Sequence, residues 1–195
     1  MVRRYTPIVG STAAGASPEG AVSIVRATID DEPALRAALY EAVCWCETPS
    51  RPPIEEVLSQ PAVDVYLESW GRTGDLGFVA EDASGHRGGA AWHRLFTTDH
   101  RGYGFVSQRV PEVSMGLERS WRGLGLGRRL LEHLHAAAIG DSIPRLSLSV
   151  DVSNLRAVRL YEHFGYVPHG MVGTSRTMEV QLLPETIATT TQAGA

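Results

Sequence analysis

The chain contains no lysine; all 18 of its basic residues are arginine. A Walker-type phosphate loop needs its lysine, and a pyridoxal Schiff base needs one too, so both chemistries are excluded. Cysteine is nearly absent. Cys44 and Cys46 stand one residue apart, which makes neither a disulfide framework nor a four-ligand zinc pattern. A reducing, cytoplasmic setting is therefore expected. No uninterrupted apolar segment is long enough to span a bilayer. Arg3 and Arg4 lead into no apolar run, so no secretory signal is expected either. The chain also lacks a surplus of positive charge. Its net charge of -4 gives no general attraction to nucleic acid or to an anionic membrane.

What is present suits one packed domain: 195 residues, 43% of them hydrophobic. Residues 1–20 and 184–195 are rich in small and polar types and read as flexible tails, leaving 21–183 as the domain. Strand patterns cover residues 21–26, 77–80, 88–96, 112–118, 146–152 and 178–182. Asp30, Asp31 and Pro33 open a helix whose Leu35, Ala38, Leu39, Ala42 and Val43 share a face. Residues 54–70 read as one or two short helices, and 97–110 as irregular. Helical patterns return at 125–139, with Leu126, Leu130, Leu131 and Leu134 inward, and at 154–164, with Ala157, Leu160 and Phe164 together. Mixed strands and helices with a strand–helix–strand crossover predict an α/β (or α+β) domain around a mixed sheet.

The richest segment runs from Pro111 to Ala138. An apolar strand pattern (Val113, Met115, Leu117) leads into Arg122-Gly123-Leu124-Gly125-Leu126-Gly127-Arg128, and a helix follows at once. This order sets a row of free backbone N–H groups at a helix N-terminus, a site suited to phosphate. Glycine lets the anion approach closely. Arg119, Arg122, Arg128 and Arg129 concentrate positive charge there in a chain that is acidic overall. The pattern is R-x-x-G-x-G. It is not the dinucleotide fingerprint, because the third small residue falls on Arg128 or Leu130.

A second constellation lies downstream: Asn154, Ala157, Leu160, Tyr161, Gly165 and Tyr166, spaced N-x-x-A-x-x-L-Y-x-x-x-G-[FY]. The two motifs in this order resemble the GNAT superfamily, the acetyl-CoA-dependent N-acyltransferases. The resemblance implies a twisted mixed sheet whose central parallel strands, 112–118 and 146–152, splay apart. It implies a pantetheine arm paired with backbone at Met115, Gly116 and Leu117, and a pyrophosphate on the turn formed by Arg122, Gly123, Leu124, Gly125, Leu126, Gly127 and Arg128. By the same resemblance Asn154 touches the pantetheine and Tyr161 faces the thioester sulfur. It calls for no metal and no nucleic-acid partner. It allows a homodimer, which nothing in the residues fixes.

Acetyl transfer to an amine expels a thiolate, and a phenolic O–H can donate to that sulfur. Tyr161 also reads as a core aromatic. Asn154 also reads as a helix cap, as does Ser153. An incoming ammonium must lose a proton before it attacks. Ser149 stands where some family members carry a glutamate, and it cannot serve as a base. Glu112, on the strand leading to the glycine turn, fits a second place used in the family. It reads equally as a strand-end carboxylate with a structural hydrogen bond, and a water can carry the proton instead. Alternation puts Glu112, Ser114 and Gly116 on one face, with Val113, Met115 and Leu117 on the other. His93 reads as a surface or hydrogen-bonded histidine. Trp45, Trp70, Tyr103 and Phe105 either line an acceptor cleft or bury against the sheet.

The expected function is a direct-transfer N-acetyltransferase using acetyl-CoA, with a small-molecule or peptide amine as acceptor. The alternative is a non-catalytic acyl-CoA-binding sensor with the same two motifs.

Overall fold

The computed structural model describes residues 17–46 and 50–184, so most of the two expected tails lies outside the described residues. Among the described residues seven strands form one sheet: β1 (Ser23–Arg26), β2 (Leu76–Glu81), β3 (Arg87–Arg94), β4 (Glu112–Leu117), β5 (Arg145–Asp151), β6 (Val167–Val172) and β7 (Ser175–Gln181). Their order is β1-β2-β3-β4-β5-β7-β6. Every neighbouring pair is antiparallel except β4 with β5, which is parallel. This is the mixed sheet expected from the pattern.

Period-two alternation divides the buried residues of the central strands between two cores. On one face lie α1 (Glu32–Val43), α2 (Ile54–Leu58) and α3 (Pro61–Asp64). There Leu35, Ala38 and Leu39 of α1 pack with Val79, Ala90 and Trp92 of the sheet. On the other face lie α4 (Leu126–Gly140) and α5 (Leu155–His163). Leu126, Leu130, Leu131 and Leu134 of α4 pack there with Ala80, Ala91, Val113, Leu146 and Leu148. The helix α1 sits close against β4, since a Cβ added to Gly116 would lie 1.8 Å from the Ala38 carbonyl oxygen. Among the described residues no helix is long and apolar enough to cross a membrane.

Two details differ from the sequence pattern. Strand β6 was not expected. Its six residues are all exposed and include Pro168 and Gly170, so neither alternation nor β-propensity marks it. His93 is neither on the surface nor hydrogen-bonded. It is 1% exposed, and neither ring nitrogen has a partner among the described residues. Alternation along β3 carries it into the α4 core, where burial pulls its pKa down to about 4 and keeps the ring neutral.

One buried ion pair fixes the wall of the later site. Arg94 and Asp75 are both fully buried and meet at 2.7 Å. The same guanidinium donates to the carbonyls of Val65 and Glu68 at 2.8 and 3.1 Å, holding the turn after α3 that carries Tyr66. Asp75→Ala leaves this guanidinium buried without its counter-charge. It should cost about 3–5 kcal/mol of stability, read by urea denaturation.

Candidate active site

Strands β4 and β5 pair at only two positions, Glu112 with Ser147 and Val113 with Leu148. Beyond them the strands diverge. The edge of β4 that faces β5 loses its ladder partner, and a cavity of about 980 Å³ opens. Ser114, Met115, Gly116 and Leu117 line it from one side, and Ser149, Val150 and Asp151 from the other. Unpaired strand backbone beside an open cavity can hydrogen-bond an extended, amide-bearing chain.

At the C-terminal end of β4 the chain enters the glycine turn. Gly123 and Gly125 adopt φ of +85° and +77°, a region that side-chain-bearing residues rarely visit, and Gly125 is the N-cap of α4. The first N–H groups of α4 have no intrahelical acceptor. A Cβ added to Gly125 would meet nothing within 4 Å, so the space beside these groups is open. Gly123, Gly125, Leu126, Gly127 and Arg128 line the cavity, whereas the Leu124 side chain is 55% exposed and does not.

Arg122 also reaches the cavity, but its guanidinium is already engaged. It donates to the carbonyls of Leu117 and Trp45, both at 3.0 Å, and to the Glu41 carboxylate at 2.8 Å. It braces the turn against the end of α1. Arg156 and Arg159, which the motif reading did not single out, line the cavity from α5. The Arg156 guanidinium lies over the turn, 2.9 Å from where a Gly123 Cβ would be. Their spacing of three along a helix, two and five residues past Asn154, was the available signal.

The start of α5 shows that a cap can also face the cavity. Asn154 Oδ1 accepts from the Ala157 N–H at 3.2 Å, and the residue lines the cavity as well. Ser153 instead turns to Asp151, whose carboxylate accepts from its hydroxyl and, at 2.8 Å, from its N–H. These bonds hold the Asp151 carboxyl below the usual carboxylate range. Tyr161 is 6% exposed and lines the cavity. Its ring packs edge-on against Tyr166 at 5.7 Å. Burial pushes its pKa up to about 12, so the phenol keeps its proton at neutral pH.

Glu112 sits at the closed end of the split, 2% exposed. Its Oε1 accepts from the Tyr66 hydroxyl at 2.7 Å and from the Gly104 N–H at 2.8 Å. The Tyr66 hydroxyl in turn accepts from the Tyr103 N–H at 2.7 Å. The second oxygen, Oε2, is buried and has no partner among the described residues. Burial raises the Glu112 pKa to about 7, while the bonds from Tyr66 and Gly104 pull it the other way. The carboxylate thus lines the cavity and also fastens the 102–104 segment to the sheet. Tyr66 carried no sequence signal; it arrives 46 residues ahead of its partner in the chain. Of the four candidate cleft aromatics, Trp45 and Tyr103 line the cavity. Trp70 is buried, its indole N–H on the Thr28 carbonyl, and Phe105 packs against the α1 core.

Comparison with known proteins agrees with this geometry. The model of the acetyltransferase (GNAT) family matches residues 37–166. The chain is similar to mycothiol acetyltransferase from Jonesia denitrificans, at 34% identity over 62 residues, which are 32% of this chain and 20% of that protein. Its fold is similar to that of an N-acetyltransferase from Staphylococcus aureus Mu50, with a TM-score of 0.61 and 21% identity over 84% of this chain and 99% of the other. It is also similar to the PaiA N-acetyltransferase from Thermoplasma acidophilum, solved in complex with coenzyme A. That structure gives a TM-score of 0.61 at 16% identity, covering 83% of this chain and 99% of the other. A chimera of the spermidine N-acetyltransferase SpeG from Vibrio cholerae and hSSAT gives 0.55 at 19% identity, covering 83% and 95%. With more than half of its length matched by the family model, and with the glycine turn and strand split in place, the chain belongs to the GNAT acetyltransferase family.

Proposed function

We propose that the protein is an acetyl-CoA-dependent N-acetyltransferase acting by direct attack of a primary amine, carried on a small molecule or a peptide. One observation carries this reading. A single cavity joins the open N–H row at Gly125, the unpaired edge of β4 and Tyr161. That donor set fits the cofactor. The N–H groups of Gly123 to Arg128 suit a pyrophosphate, the backbone of Met115, Gly116 and Leu117 suits the pantetheine amides, and Asn154 offers its side-chain amide N–H to the same arm. When bound, acetyl-CoA supplies an acetyl thioester with a thiolate leaving group.

The chain's own residues supply the proton transfers. Tyr161, held protonated by burial, donates its phenolic proton toward the departing sulfur. Glu112, with a pKa of about 7, takes the proton that the amine must lose. Among the described residues no cysteine lines the cavity, which favours direct transfer over an acetyl-cysteine route. The Tyr161 hydroxyl and the Glu112 carboxylate in one cavity favour catalysis over a non-catalytic acyl-CoA sensor.

Gly125→Val places a β-branched side chain at positive φ and in the open space beside the N–H row. Calorimetry should find no measurable coenzyme A binding to a protein whose circular dichroism is unchanged. Tyr161→Phe should keep coenzyme A affinity and lower kcat by roughly 10²–10⁴; a wild-type rate would remove the acid role. For Glu112 the base must be ionised, so kcat/KM should rise with pH through about 7 in the wild type. Glu112→Gln should lose that inflection and roughly 10²–10⁴ in rate while keeping the limb that belongs to the amine.

A further inference from the structure

Charge is unevenly distributed around the cavity. The four arginines that line it, Arg122, Arg128, Arg156 and Arg159, come from the glycine turn, α4 and α5. The facing wall is built by α1, by α3 and the turn after it, by the loop of residues 97–110 and by the start of β4. Among the described residues it contributes Leu39, Val63, Tyr66, Tyr103 and Glu112, and no cation. Its other carboxylate, Glu41, is already paired with Arg51 and Arg122. Strands β5 and β7 add Val150 and the oxygen groups of Ser149, Asp151 and Ser175. Residues 47–49, which lie outside the described residues, are Glu47, Thr48 and Pro49 and carry no positive charge.

This wall treats the two ends of an amino acid differently. An ammonium meets the Glu112 carboxylate and the faces of two tyrosines, which attract it. A carboxylate beside the same nitrogen meets a group of its own sign and no cation to offset its loss of water. Apolar Leu39 and Val63 favour a hydrocarbon body. Resting on the amine-transfer reading above, we infer that the acceptor is a primary amine with no carboxylate next to its nitrogen and with an apolar or aromatic body. Free amino acids are rejected because the one guanidinium that reaches this wall, Arg122, is already spent on Glu41 and on the carbonyls of Leu117 and Trp45, which is discrimination by exclusion. Tyr103 is the residue placed to read the acceptor body. Its main chain is tied down through Tyr66, while its side chain is 48% exposed and faces the cavity.

Matched pairs test this: 2-phenylethylamine against phenylalanine, tyramine against tyrosine, and 3-methylbutylamine against leucine. Thiol release from acetyl-CoA measures transfer, and calorimetry on protein saturated with coenzyme A measures binding. In each pair the decarboxylated member should win by roughly tenfold or more in kcat/KM and in Kd. Amino acids that bind and react as well as their amines overturn the inference and leave the transferase reading intact. Amines that bind selectively yet release no thiol overturn the transferase reading and uphold the preference. Failure of all six compounds to bind overturns the inference. Tyr103→Ala should weaken amine binding roughly three- to tenfold with coenzyme A affinity unchanged; an unaltered amine Kd removes Tyr103 from the acceptor site.

Discussion

Everything in the site depends on where β4 and β5 stop pairing. Parallel strands normally continue their ladder, because an unpaired backbone group away from water costs about as much as a lost hydrogen bond. Here the ladder ends after Val113 and Leu148. The edge groups released on β4 face a cavity instead of a partner strand, so a ligand with its own amides can restore the missing bonds. The same divergence opens a passage from the α1 face to the α4 face. It is why a glycine turn on one side and a buried glutamate on the other can belong to one site.

The divergence is held from both sides by packing. Helix α1 lies so close to β4 that no side chain fits at Gly116. Arg122 ties the glycine turn to the end of α1 through Glu41 and the Trp45 carbonyl. At the other end Glu112, Tyr66 and the 102–104 segment form one hydrogen-bonded unit, and Arg94 with Asp75 anchors the turn that carries Tyr66. A buried carboxylate is costly to keep ionised, and burial moves the Glu112 pKa toward neutrality. The network that positions the loop thus also tunes a group suited to accepting a proton near pH 7.

Two kinds of electrostatics meet in the cavity, joined only where Arg122 pairs with Glu41 among the described residues. Guanidinium groups and the N-terminal end of the α4 dipole sit at the glycine turn, a setting suited to an anion. Carboxylate and hydroxyl oxygens and the aromatic residues Tyr66 and Tyr103 line the opposite wall. That sorting is possible because α4 and α5 lie on one face of the sheet and α1 to α3 on the other, each bringing its own side-chain set to a shared gap.

The sequence by itself determined the elements and the motif that matter most. Glycine at 123 and 125 directly before an amphipathic helix specified the turn, because few other residues adopt positive φ there. Alternation placed Glu112 and Gly116 on the same face of their strand. The spacing from Asn154 to Tyr166 marked the second half of the site. What local pattern carries is short-range: caps, periodicity and turns. Only the tertiary structure decided that Tyr66 bonds Glu112 across 46 residues, and that Arg122 spends its charge on Glu41. It also buried His93 without partners and placed the exposed β6 at the sheet edge. These outcomes depend on which faces meet when helices close on a sheet, and no window of neighbouring residues contains that information.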